Sequence, residues 1–310
     1  MSTCKRKTSI GGQALIEGIM MRGPAVTAMA VRKPDGEISV ESWETEPKGK
    51  KKPFYKTTPF IRGVFNMVDT MILGFKCLMK SADMAGIEEE EPSKFEKWLS
   101  KTLGKDITSI VSSLAMVLGV CLAILLFIVL PTSLSSLLKP FVPGAALAWI
   151  EGGIKIIVFI AYLFFCSRQK DVRRVFEYHG AEHKTIACYE AMEELTLENC
   201  RKYTRFHPRC GTSFLFIVIL ISILVSSLVS WDNILIRMVL KILMLPVIVG
   251  ISYECIKLAG RCDNLFTRII SAPGLWMQRL TTVEPDDSQL EVAIAAMNVV
   301  IPENSEEDRW

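Results

Sequence analysis

ITSIVSSLAMVLGVCLAILLFIVLPTSLSSLL, residues 107–138, carries no charged side chain from end to end. A membrane-spanning helix needs about 20 apolar residues, because it rises 1.5 Å per residue through a hydrocarbon core about 30 Å thick. A helix buried in a water-soluble protein normally keeps a polar stripe, so a run uncharged on every face reads as a span. Thr212 to Trp231 is a second such run. Gly144 to Cys166 is as apolar but holds Glu151 and Lys155, and Ile234 to Lys257 is interrupted by Arg237, Lys241 and Glu254. Both are read as spans too. The expected fold is a mainly α membrane protein with four transmembrane helices in two hairpins, joined to a cytoplasmic N-terminal α+β region that contains a β-hairpin.

The rest of the composition fits this segregation. Of 310 residues, 50% are hydrophobic and 22% charged, and the charge is gathered outside the apolar runs. Five segments follow: a cytoplasmic N-terminal region (1–100), a first transmembrane hairpin (101–166), a histidine-bearing cytoplasmic loop (167–211), a second hairpin (212–258) and a C-terminal tail (259–310). Lys and Arg resist translocation, so their positions set orientation. The segment 131–143 holds only Lys139. The loop 167–211 holds Arg168, Lys170, Arg173, Arg174, Lys184, Arg201, Lys202, Arg205 and Arg209. That loop and both termini are therefore expected to face the cytoplasm. Residues 1–12 lack the long apolar core and cleavage site of a signal peptide. The nine cysteines are scattered and expected as free thiols on the reducing side. The net charge of +3 is small, and the basic loops suit topology and the anionic headgroups of the lipid bilayer rather than nucleic acid. Charges inside a span ask for partners, and Glu151 is expected to pair with Arg237 or Lys241 across the bundle.

Before the first span, Ala25–Arg32 and Glu37–Trp43 flank Lys33-Pro34-Asp35-Gly36, the chemistry of a hairpin turn. Glu46–Lys52 reads as a loop. Pro59–Met84 places Ile61, Val64, Phe65, Val68, Ile72 and Phe75 at helical spacing, but Arg62, Asp69 and Lys76 argue against a span; it is expected at the membrane surface or against the bundle. Glu88–Glu91 with Pro92 reads as an acidic linker, and Ser93–Gly104 as an amphipathic lead into the first span. Arg261–Arg279 is a basic apolar stretch, and Leu290–Val299 a short helix. Gly11–Pro24, Gly-Gly-Gln-Ala-Leu-Ile-Glu-Gly-Ile-Met-Met-Arg-Gly-Pro, is dense in glycine yet matches neither a phosphate loop nor a dinucleotide turn. On its own it reads as a tight turn leading into the hairpin. A functional reading has Glu17 and Arg22 facing the histidines and binding substrate.

All three histidines, His179, His183 and His207, lie in the one loop. His179 and His183 belong to His-x-x-Glu-His inside a predicted helix from Asp171 to Leu195. Positions four apart share a helical face, so both imidazoles can hold one divalent metal while Glu182 stays free as a base. The order is that of the inverted zincins, and the ion such ligands favour is Zn²⁺. Two ligands are too few. His207 and Cys210 in Phe-His-Pro-Arg-Cys-Gly are candidates for completing the shell, as is Glu254, since inverted zincins draw a glutamate from a later helix. Two alternatives stand beside this: a hydrogen-bonded histidine cluster without metal, and a closed structural clip of His179, His183, His207 and Cys210.

Gly11–Pro24, Arg62-Gly63, Tyr178–Glu190, Phe206–Thr212 and the ending Gln278-Arg279-Leu280-Thr281-Thr282 with Glu284-Pro285-Asp286-Asp287 together resemble the YqhQ-like bacterial membrane family, a domain of unknown function (number 1385) described as predicted metal-dependent enzymes. The resemblance covers almost the whole chain. It implies a multi-pass protein of the bacterial inner (plasma) membrane, and one functional unit of glycine block and histidine loop, which brings in Gln13, Glu17 and Arg22 as substrate-binding residues. The expected activity is metal-dependent hydrolysis of a peptide or lipid-linked bond, with Glu182 as the catalytic base. A non-enzymatic assembly or scaffold factor binding a protein partner is the alternative, and a small transporter or its subunit the third reading.

Overall fold

The computed structural model describes residues 7–45, 53–87, 107–228, 233–261, 265–304 and 307–308. The segments read as a loop at Glu46–Lys52, an acidic linker at Glu88–Glu91 and an amphipathic lead at Ser93–Gly104 lie outside the described residues. The chain divides into two compact units: residues 1–86, 162–221 and 246–310 form one, and residues 87–161 and 222–245 the other.

The first unit is built on an antiparallel sheet in simple meander order, β1 (Gly11–Leu15), β2 (Gly18–Arg22), β3 (Val26–Arg32) and β4 (Ile38–Glu44). The hairpin expected around Lys33–Gly36 is β3–β4, with Gly36 at φ +87° in the turn. A second hairpin corrects the reading of the glycine block as a mere turn: Gly11–Arg22 is itself β1–β2, with Leu15 opposite Gly18. Glycine density hid these strands because glycine disfavours them unless close approach demands it. Here it does, since a Cβ on Gly18 would sit 2.6 Å from the Ala30 carbonyl oxygen.

Helices α1 (Phe54–Thr57) and α2 (Ile61–Met84) follow, and α2 covers one face of the sheet through Leu15, Met20, Met29, Val31, Cys77 and Leu73. The other face packs Ile19, Met21, Ala28 and Ala30 against α6 (Lys170–Glu190), α7 (Leu197–Arg201) and α11 (Asp287–Val300). This second layer holds the larger core, with Tyr178, Ala181, Leu290, Val292 and Met297 almost wholly buried. Removing such apolar area from water contributes about 25 cal/mol per Å². A capping box at Asp286 starts α11: its carboxylate accepts from the Gln289 N–H at 3.0 Å, and the Gln289 side chain accepts from the Asp286 N–H at 2.9 Å.

The second unit draws on α3 (Ile107–Ile124), a π-helical turn at Leu125–Val129 and α4 (Leu130–Leu137), with parts of α5 (Gly144–Arg168), α8 (Gly211–Leu228) and α9 (Ile234–Arg261). The π turn stands just before Pro131, whose missing N–H interrupts a regular ladder. Among the described residues three helical stretches are long and apolar enough to cross a membrane, Ser113–Leu137, Ala146–Arg168 and Ile234–Leu258. The expectation of four spans is corrected accordingly. In α8 the apolar stretch is Phe214–Ser227, about 21 Å at 1.5 Å per residue and short of a hydrocarbon core of about 30 Å. Val229–Trp231, the rest of that run, lie outside the described residues. Along α3, Met116, Val117, Leu118, Val120 and Leu122 are exposed, an apolar run that water does not favour.

Within this unit Glu151 stands between two cations. It accepts from Arg237 at 3.1 Å and from Lys241, and it is further bonded by Thr132 (3.1 Å) and Ser135 (3.4 Å). This is the pairing that burial of charge in an apolar bundle requires.

Candidate metal centre

Helix α6 begins after Gln169 and carries His179, Glu182 and His183 on one face. The two rings lie 4.4 Å apart, centroid to centroid. Each is held through its Nδ1: His179 by the Thr281 carbonyl oxygen at 2.9 Å, His183 by the Arg205 carbonyl oxygen at 2.6 Å. A carbonyl oxygen only accepts, so both Nδ1 atoms carry hydrogen and Nε2 is the nitrogen of each ring turned toward the cluster. Cys210 enters from a turn closed by its own N–H to the His207 carbonyl (3.3 Å), and its Sγ lies 3.2 Å from His179 Nε2. One ligand atom each from His179, His183 and Cys210 falls within 4.8 Å of the others. Thr281, at the end of α10 (Leu265–Thr281), also reaches Thr212 through its hydroxyl at 3.3 Å, which ties the start of α8 to the same point.

Glu182 is 6% exposed, and its Oε2 has no hydrogen-bond partner among the described residues. The Gly12 N–H of β1 donates to its carboxylate. Gly12 has to be glycine here, because a Cβ would lie 2.9 Å from the Glu182 Cδ and from the Met20 carbonyl oxygen. Burial pushes the Glu182 carboxyl above the usual range, against the charges of His179 and His183. For His179, burial works downward, but the Cys210 thiolate and then Glu182 outweigh it and bring the ring to about 9. Burial likewise opposes ionisation of Cys210, yet His183 and His179 draw the thiol well below its ordinary value. The donor set is thus two imidazoles and one readily ionised thiol, with an unsatisfied carboxylate oxygen beside them. This is chemistry that fits a divalent transition metal.

The structure does not bring every expected site residue to this cluster. His207 is near, its ring centroid 5.6 Å from that of His183, but its Nε2 lies 3.4 Å from Glu190, and Gln278 grips its backbone at both N–H (2.8 Å) and C=O (2.7 Å). Burial, then the charges of His183 and Arg209, lower the His207 pKa against the pull of Glu190. Glu254 is elsewhere, accepting from Arg62 Nε at 2.7 Å and from the Phe60 N–H at 3.2 Å. Glu17, at φ +49° in the β1–β2 turn, is committed to Arg174 (2.6 Å) and Tyr178 (3.2 Å). Gln13 and Arg22 point to the α2 face and line a second cavity of about 450 Å³. The cavity at the cluster is about 340 Å³, lined by Thr8–Ala14, Val175, Phe176, the three ligand candidates and Glu182 among others. Sequence reasoning missed Glu190, Gln278 and Thr281. Glu190 continues the Glu182–Ile186 face of α6 four residues on and was legible by spacing, whereas Gln278 and Thr281 lie 71 and 102 residues from the histidines they hold and were marked only as part of the block Gln278–Thr282.

These features define a class: a protein with apolar helices suited to a bilayer and an α/β module carrying a buried His-His-Cys cluster. The chain belongs to the family described as "Protein of unknown function (DUF1385)", whose profile matches residues 58–303. It is 35% identical to the "Uncharacterized protein YqhQ" of Bacillus subtilis (strain 168), over 303 residues that cover 97% of this chain and 95% of that protein. No solved structure matches it.

Proposed function

We propose that this chain is a metal-dependent hydrolase of the bacterial plasma membrane, its metal held by His179 Nε2, His183 Nε2 and Cys210 Sγ on the cytoplasmic side. The observation that carries the proposal is the double commitment of Nδ1 to backbone carbonyls, the arrangement that orients metal-bound histidines. Three protein ligands leave a position open, as in catalytic rather than structural zinc sites, and the commitment of His207 to Glu190 and Gln278 argues against a four-ligand clip. When bound, Zn²⁺ supplies a Lewis acid and brings the pKa of water to about 7. Glu182, with a raised pKa and a free Oε2 in the cavity, holds or passes a proton there; the Cys210 thiol and the Nε2 of His179 give up theirs to become ligands.

The basic residues between Arg168 and Arg209 favour a cytoplasmic placement of α6. The sheet and α11 pack on α6 and share its side, which supports cytoplasmic terminal regions.

The test is elemental analysis of the detergent-purified chain. About one zinc per chain is expected, lost in the His179→Ala, His183→Ala and Cys210→Ser variants, while Glu182→Gln keeps zinc and loses hydrolytic activity by about 10²–10⁴-fold. Equal metal in wild type and the ligand variants would defeat the proposal.

A further inference from the structure

The cavity at the cluster is walled on one side by the backbone of β1, the outer strand of the sheet. The phase of its hydrogen bonds follows from the neighbouring ladder. The Arg32 N–H donates to the Glu17 carbonyl at 2.8 Å, so Gly18 and Val31 form a non-hydrogen-bonded pair and Gly18 turns its backbone groups toward β1. By alternation Gly18, Met20 and Arg22 bond Leu15, Gln13 and Gly11, and the residues between, Gly12 and Ala14, turn their N–H and C=O outward. The Gly12 N–H is taken by Glu182. The Gly12 carbonyl and both backbone groups of Ala14 have no partner among the described residues.

Unpaired groups repeating along a strand edge are complementary to another extended backbone. The side chains beside that edge alternate in a way that suits the same ligand. On one face Gly12 opens toward Glu182 and the His-His-Cys cluster; on the other, Gln13 and Arg22 line the second cavity, and both cavities share Ser9, Gly11, Gly12 and Gln13. The Gln13 amide and the Arg22 guanidinium have no hydrogen-bond or ion-pair partner among the described residues.

We infer that the substrate of this site is an extended peptide segment that adds as a further strand beside β1, bonded by Gly12 and Ala14. Successive side chains of such a segment point to opposite faces, one into the cluster cavity and the next toward Gln13 and Arg22, where an acidic or amide side chain is preferred. The inference rests on the hydrolase reading for its chemistry, but not for its binding mode. It also gives the glycine block a function: Gly12 admits Glu182, and its neighbours supply the edge.

The test is amide hydrogen exchange on the full chain in detergent, carrying Glu182→Gln to hold the peptide uncut, with denatured casein as probe. Casein is expected to slow exchange of the Ala14 amide about tenfold or more, while vesicles of phosphatidylethanolamine and phosphatidylglycerol leave it unchanged. Ala14→Pro removes an N–H that the β1–β2 ladder does not use, and edge positions tolerate proline. It is expected to keep zinc and bind casein about tenfold more weakly, the worth of one hydrogen bond. Unchanged Ala14 exchange with casein, or protection by the vesicles instead, would overturn the peptide assignment even with zinc in place. Absence of zinc beside intact casein protection would sink the hydrolase reading and leave the peptide site standing.

Discussion

Replacing Glu151 by alanine removes the only carboxylate that the described residues offer to Arg237 and Lys241, whose side chains are 11% and 10% exposed. Thr132 and Ser135 remain as neutral partners, at 3.0 Å from Lys241 and 3.1 Å from Arg237, and neither balances charge. Deleting one member of a buried ion pair typically costs about 3–5 kcal/mol, because the other member stays charged and desolvated. At about 2–4 °C per kcal/mol for a chain of this order of size, the melting temperature should fall by roughly 6–20 °C. The assay is intrinsic fluorescence of the detergent-purified protein during heating at one fixed scan rate. Substituting all three together, Glu151→Leu with Arg237→Met and Lys241→Met, should recover most of the loss, since an apolar replacement of a buried ionic cluster is often neutral. A shift below about 3 °C for Glu151→Ala would refute the reasoning, because it would mean the cations are already solvated.

Three further outcomes are expected. Gly180→Ala places a Cβ 2.1 Å from the Val283 carbonyl oxygen, a backbone atom that cannot swing aside, so heating should unfold this variant well before wild type. Asp286→Ala removes the capping box of α11 and should cost about 1 kcal/mol, read from the denaturant midpoint. Glu190 gives the pH dependence: burial pushes its carboxyl up, but the His207 hydrogen bond and then the Arg209 charge hold it below the usual range. A depressed folded-state pKa stabilises above the unfolded value of about 4.3 and loses that contribution as pH falls through the folded value. Glu190→Gln should therefore flatten the loss of stability in acid below about pH 4.3; an unaltered slope would exclude Glu190 as a contributor.

The apolar runs were legible because length and absence of charge suffice to mark them, and Ser113–Leu137 and Ala146–Arg168 lie inside the expected runs or close to them. The pairing of Glu151 was legible from the cost of burying charge. The glycine block was not, since strand propensity argues against glycine and only the close approach of Ala30 and Glu182 explains Gly18 and Gly12. At the centre, His-x-x-Glu-His gave two of the three clustered ligand candidates by helical periodicity alone. Choosing Cys210 over His207 required knowing where Glu190 and Gln278 sit, and Glu254 was drawn away by Arg62, a residue that sequence alone left without a partner.

Thr281 holds His179 from 102 positions downstream. The Val283 N–H bonded to the Phe176 carbonyl and the Gln289 amide bonded to Glu177 fasten the same late segment along α6. During synthesis at about 5–20 residues per second, α6 must therefore wait at least several seconds before that brace is made. On the proposed metal site, loading would thereby be deferred until the last helices have emerged, so a chain arrested short of Thr281 should recover little zinc.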